Sequence, residues 1–206
     1  LAHIILILGL IGIYFNSNLY YSKKLNLAIE NENISDIEQI LRKKPKCINR
    51  VPALMPEWFY IFIDAPRPVY SLYEACASDN IELVKLLIDS GAKLDGVEMS
   101  VPLSCVYLGK EENWYAISKL LLESGADINY TTEYSGSRSS ILEDIVSIGH
   151  TAELPGYKPE NKEEVIEAFK YAIEKCDHSK VNWMSVLQEI VCNDRIEIVK
   201  LLLDER

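Results

Sequence analysis

The sequence predicts an all-α fold, an α-solenoid of about five helix-turn-helix repeats preceded by an N-terminal hydrophobic helix, and three observations predict it. Asn80 to Asp95 (NIELVKLLIDSGAKLD) carries Ile81, Val84, Leu87 and Ile88 at helical spacing, and a Gly-Ala pair then stops the helix. A near copy follows 34 residues on at Ala116 to Asn129 (AISKLLLESGADIN), with Leu122 for Ile88, Gly125 for Gly91 and Asn129 for Asp95. The motif returns at Asp194 to Asp204 (DRIEIVKLLLD) and, in weaker form, at Asn33 to Asn49. A helix pair this short cannot bury its own apolar face, so repetition implies stacking.

Taken in order, Leu1 to Phe15 is apolar apart from His3 and two glycines. Three readings compete for it: an uncleaved membrane anchor, a signal peptide, and a buried first helix. The anchor fits Tyr14, Tyr20 and Tyr21 as interfacial residues and Lys23 and Lys24 just beyond them. Residues 1–21 are therefore read as an anchor or signal segment, and 22–206 as the array. Its repeats are placed at about 22–50, 68–96, 100–130, 139–183 and 184–206, with insertions near 51–67 and 150–161. Leu25, Leu27, Ala28 and Ile29 are expected on the first helix, and Ile34, Ile37, Ile40 and Leu41 on the second. In the first insertion, Pro52, Pro56, Pro66 and Pro68 exclude helix around the run Trp58 to Ile63. That run either folds over the edge of the first repeat or acts as an aromatic partner-binding finger. Tyr130 to Ser139 is polar and reads as a hairpin tip; His150 to Asn161, with two prolines, reads as an extended loop before a helix at Glu163 to Lys175. The chain does not begin with Met and its last copy lacks Gly-Ala-Asp, so both ends are expected to be open to extension.

The motifs resemble the ankyrin-repeat family. Its T-P-L-H-x-A signature is matched at Pro and Leu by Val101 to Val106 and at Leu and Ala by Tyr70 to Ala75, while the family's second-helix run is matched by the two copies above. Further copies open at Ser140-Ile141-Leu142 and Ser185-Val186-Leu187. The key leucines are then Leu25, Leu72, Leu103, Leu142 and Leu187, at spacings of 47, 31, 39 and 45. The family's histidine is replaced by Asn26, Tyr73, Ser104, Glu143 and Gln188. The resemblance implies that the residue before the first-helix alanine position faces a binding groove, here Leu27, Glu74, Cys105, Asp144 and Glu189. Trp58, Phe59, Tyr60 and Phe62 of the aromatic run, with Tyr130 and Tyr134 of the hairpin tip, complete the candidate partner contacts.

Charge sharpens the expectation. Residues 1–67 hold eight Lys/Arg against six Asp/Glu, whereas residues 68–206 hold thirteen against twenty-five, and the whole chain carries −10. An acidic array argues against nucleic acid, whose phosphates need Lys and Arg. Five cysteines form no C-x-x-C pair; His3, His150 and His178 have no ligand-spaced companion; no phosphate loop, G-x-S-x-G or H-E-x-x-H is present. The sequence therefore predicts a non-enzymatic protein-binding module with no cofactor and no metal. Its partner is expected to be another protein, one with a basic segment fitting the acidic groove. The Lys and Arg that follow the apolar run favour a single-pass anchor with a cytoplasmic array. The alternatives are a periplasmic immunity or inhibitor-type protein occluding one dedicated partner, and an adaptor region of a larger protein.

Overall fold

The computed structural model describes residues 9, 17–50, 70–95, 103, 106, 112–134, 137–148 and 162–204. The aromatic run at 58–63, Cys105, the loop at 150–161 and nearly all of Leu1 to Phe15 lie outside them. The chain divides into two compact units, Leu1–Lys93 and Leu94–Arg206. The first holds α1 (Asn18–Glu30), α2 (Ile34–Lys43), a 3-10 turn (Pro45–Cys47), α3 (Ser71–Ala77) and α4 (Ile81–Asp89). The second holds α5 (Trp114–Glu123), a hairpin of β1 (Thr131–Tyr134) and β2 (Ser137–Ser140), α6 (Ile141–Ser147), α7 (Lys162–Lys175), α8 (Trp183–Cys192) and α9 (Ile196–Asp204). The class is all-α, and the two-stranded hairpin falls on the predicted tip, with Tyr134 paired to Ser137 across its turn.

The helix pairs owe their shape to how the chain leaves one helix. After α1, Glu32 takes φ +51°, and the N–H groups of Glu32 and Asn33 donate at 2.9 Å to the carbonyls of Ile29 and Ala28. This is the Schellman stop, in which a left-handed residue satisfies carbonyls that the helix leaves open. It recurs after α8 at Asp194 (φ +52°), where Asp194 and Arg195 donate to Val191 and Ile190. Second helices stop in the same way at glycine: Gly91 (φ +85°) and Ala92 close α4, and Gly125 (φ +103°) and Ala126 close α5. Starts are capped as well, since the side chains of Asn33, Asn80 and Asn182 accept from the N–H of Asp36, Leu83 and Ser185.

Within each unit successive pairs stack. α1 packs on α2 and on α3; α6 packs on α7 and on α8, while α7 also meets α9. Leu25, Ile29, Leu72, Leu83, Val84 and Leu87 are buried in the first unit, and Ile117, Leu121, Ile141, Ile145 and Phe169 in the second. Leu103 and Val106 are helical and buried too. Polar rungs join the pairs at one recurring position. Ser71 Oγ donates 2.7 Å to Asn26 Oδ1, buried 45 positions back, and Ser185 Oγ donates 3.0 Å to Glu143 Oε2, 42 positions back. A second ladder runs along the tips. Asn49 Oδ1 accepts from Lys93 N–H at 2.7 Å, Asp95 Oδ1 from Asp127 N–H at 3.0 Å, and Asn129 Oδ1 from Asp177 N–H at 2.6 Å.

Leu27, 57% exposed, and Ile34 lie on the surface of their helices, and the helical arc of Leu25, Ile29, Ile37, Ile40 and Leu41 fills the first core. One expectation needs correction, the register of the last copy. Leu187 is 43% exposed while its neighbour Val186 is fully buried, so the last copy is in register one residue earlier. Asn26 and Glu143 follow the key leucines Leu25 and Leu142, and their partners Ser71 and Ser185 precede Leu72 and Val186, which fixes the same register. α1 begins at Asn18, where the Ser17 side chain accepts from Tyr20 N–H at 3.2 Å, so Tyr20 and Tyr21 lie in its first turn.

Leu87→Ala and Leu121→Ala should each cost about 2–5 kcal/mol in denaturant melts, because both side chains are wholly enclosed. A Cβ on Gly91 would meet nothing within 4 Å, so Gly91→Ala should cost only the left-handed backbone term of about 1 kcal/mol. Asn26→Leu should cost about 1–3 kcal/mol by stranding the Ser71 hydroxyl, and adding Ser71→Ala should return much of it. Equal loss in the single and double variants would show that the rung contributes nothing.

Candidate functional site

The best-formed candidate surface lies on the first unit, on the side of α1 and α3 turned away from the core. Leu25 and Ile29 point inward from α1, as Leu72 and Ala75 do from α3, and this leaves Leu27 and Glu74 at matching outward positions. Beside Leu27 runs an open groove of about 480 Å³ between α1 and α2, lined by Tyr21, Lys24, Asn31, Asp36 and Lys43. Glu74 is half-buried, and its carboxyl is pushed above the usual range, first by burial and then by the charge of Glu30. Two carboxylates that repel each other beside an exposed leucine make a place where an incoming cation relieves repulsion.

In the second unit, taken by itself, Asp144 and Glu189 are covered or engaged. Asp144 is only 8% exposed, because α6 is covered along most of its length. Its neighbour Glu143 is buried by the rung from Ser185 and also accepts from Ser140 Oγ at 2.9 Å. Glu189 is half-exposed and already engaged, accepting at 3.1 Å from both Ser147 Oγ and Asn193 Nδ2. Tyr130 is half-exposed at the entry to the hairpin, and Tyr134 sits in β1 beside the turn. Cys105, Trp58, Phe59, Tyr60 and Phe62 lie outside the described residues. Of the groove positions implied by the resemblance, Leu27 and Glu74 lie on the outward sides of α1 and α3, with Glu30 beside Glu74, whereas Asp144 is buried and Glu189 is engaged by Ser147 and Asn193.

Sequence reasoning missed two features. Met184, Leu187, Val191, Ile196 and Leu203 are exposed on α8 and α9, with Val191 at 74%. Leu187 and Val191 stand where α6 carries Glu143 and Ser147, the two residues that bond to α8. The signal was in the alignment of the copies, once Val186 is taken as the key residue. Arg195 was missed as well: its Nε donates 3.1 Å to Val146 O and its Nη2 to Ile148 O, satisfying carbonyls at the end of α6.

Reactive groups are quiet. Burial pushes the Cys47 thiol up to about 11 and also raises Cys176, so neither is poised as a thiolate; Cys76 is enclosed. His178 lies 2.9 Å from Ile173 O at the end of α7 and accepts from Trp183 Nε1 through its own carbonyl at 3.2 Å, which is a helix-ending arrangement. Among the described residues no three His, Cys, Asp or Glu side chains converge to hold a metal ion. No protein-family model matches the chain, and no curated protein matches it.

A carboxyl whose pKa is raised in the folded state binds its proton more readily there than in the unfolded chain, so it disfavours the fold while ionised. Glu74→Gln should therefore raise the melting temperature at neutral pH. That gain should fade as the pH falls through the carboxylate range and Glu74 becomes protonated in the wild type. A gain that is constant with pH would mean that packing and not charge is responsible.

Proposed function

We propose that this chain is an ankyrin-type α-solenoid that recognises another protein without catalysis and is tethered to a membrane through its N-terminal apolar run. The observation that carries the reading is the tip ladder, in which Asn49, Asp95 and Asn129 each accept from a backbone N–H of the following copy. A bond repeated three times at matching motif positions supports the periodic stack that the sequence resemblance implies. Stacks of this kind present a fixed frame with free surface positions, which suits binding.

The contact surface is assigned to Leu27, Glu30 and Glu74, an apolar centre beside two carboxylates that fits a partner segment carrying Lys or Arg next to an apolar residue. The apolar run of residues 1–15 supplies the tether by its composition; among the described residues no helix is long and apolar enough to cross a membrane.

A photo-crosslinking residue placed at Leu27 or Glu74 in the source cell should trap one protein species. The same residue at Lys85 or Glu167, exposed on second helices, should not. The double change Glu30→Gln and Glu74→Gln should then slow association with the trapped species and flatten its salt dependence. Equal trapping from both faces would sink the assignment.

A further inference from the structure

The first helix pair has a basic end. α1 starts and α2 finishes at the same end of the antiparallel pair, which brings Lys23 and Lys24 beside Lys43, Lys44 and Lys46, roughly twenty positions later in the sequence. Arg50 joins them, because Ser22 Oγ donates to its carbonyl. Lys23, Lys24, Lys43, Lys46 and Arg50 are exposed. The carboxylates of the pair lie elsewhere: Glu30, Glu32 and Asp36 sit at the opposite end around the turn, and Glu38 is occupied by Arg42 at 3.1 Å. Two tyrosines sit within the cluster. Lys24 Nζ is 5.4 Å from the Tyr20 ring, Lys43 Nζ is 5.4 Å and Lys44 Nζ 6.0 Å from the Tyr21 ring, and the rings meet edge to face at 5.4 Å. The apolar run enters α1 at this same end, through Ser17.

We infer that the basic, tyrosine-bearing end of the first helix pair lies against an anionic bilayer surface and holds the array there by contacts to lipid headgroups. Clustered cations attract acidic lipids, tyrosine rings favour the headgroup layer, and both are placed where the apolar run joins the helix. An acidic protein or a nucleic acid would not need the tyrosines, nor the apolar run that joins the helix at the same end. The inference rests on the membrane-tether reading for its orientation, but it makes a separate demand, a preference for negative lipid.

The full chain would be floated with vesicles of phosphatidylcholine alone and with vesicles containing about three parts in ten phosphatidylserine. Wild type should partition more strongly onto the second kind, and the increment should disappear in high salt. The quadruple variant Lys23→Gln, Lys24→Gln, Lys43→Gln and Lys46→Gln should lose it, a drop of roughly six hundredfold at roughly fivefold per charge, while the Lys→Arg version keeps it. Flotation on phosphatidylcholine alone that resists salt reports the apolar run, so failure of the tether shows in that arm and leaves the increment readable. An increment that survives the four Gln changes overturns the inference. So does its absence from wild type, whether or not duplex DNA or an acidic polypeptide retains the chain through the same lysines.

Discussion

The described structure depends on one backbone constraint: a helix must end within a residue or two and send the chain back antiparallel. Glu32, Asp79 and Asp194 do this between the helices of a pair at φ +51°, +57° and +52°, and Gly91 and Gly125 do it after second helices. Non-glycine residues resist that conformation by about 1–2 kcal/mol, less for Asp. The cost is offset by the carbonyls that the turn satisfies and by the apolar arc that it brings into contact. Were the reversal longer, Ile29 and Ile37, or Leu83 and Leu87, would not lie across from the neighbours that enclose them.

What the sequence made legible follows from which forces are local. The 34-residue echo marked Leu87 and Leu121 as buried, because a helix with one apolar arc has one way to face inward. Val186 and Leu187 were not separable in this way: adjacent apolar residues differ by 100° of helix rotation, and only the packing of α8 on α6 decides between them. Asp144 and Glu189 were read as surface carboxylates from a family position. The bonds from Ser185 to Glu143 and from Ser147 to Glu189 join residues more than forty positions apart, whereas Asn193, four residues beyond Glu189, is a local partner at helical spacing. Leu27 and Glu74 lie on the outward sides of α1 and α3, and Glu30 reaches Glu74 there.

Electrostatics divides the first unit by end and by face. The lysines gather where α1 begins and α2 finishes, while Glu30 and Glu74 meet on the outward side of α1 and α3. The fold joins two short basic runs, Lys23-Lys24 and Arg42 to Lys46, through the helix reversal, and Glu30 and Glu74 through the packing of α1 on α3. The net charge of −10 is therefore a poor guide to what any one surface attracts.

The tip ladder sets how freely this protein can change. Each rung is accepted by a fixed Asn or Asp but donated by a main-chain N–H, and the donors belong to Lys93, Asp127 and Asp177. A lysine and two aspartates fill one structural role because the bond ignores their side chains. Every residue except proline can stand at the donor position, so the charge of the tips can be rewritten copy by copy without disturbing the spacing of the stack. Architecture is thus held by one half of each rung, and the other half is left open to variation.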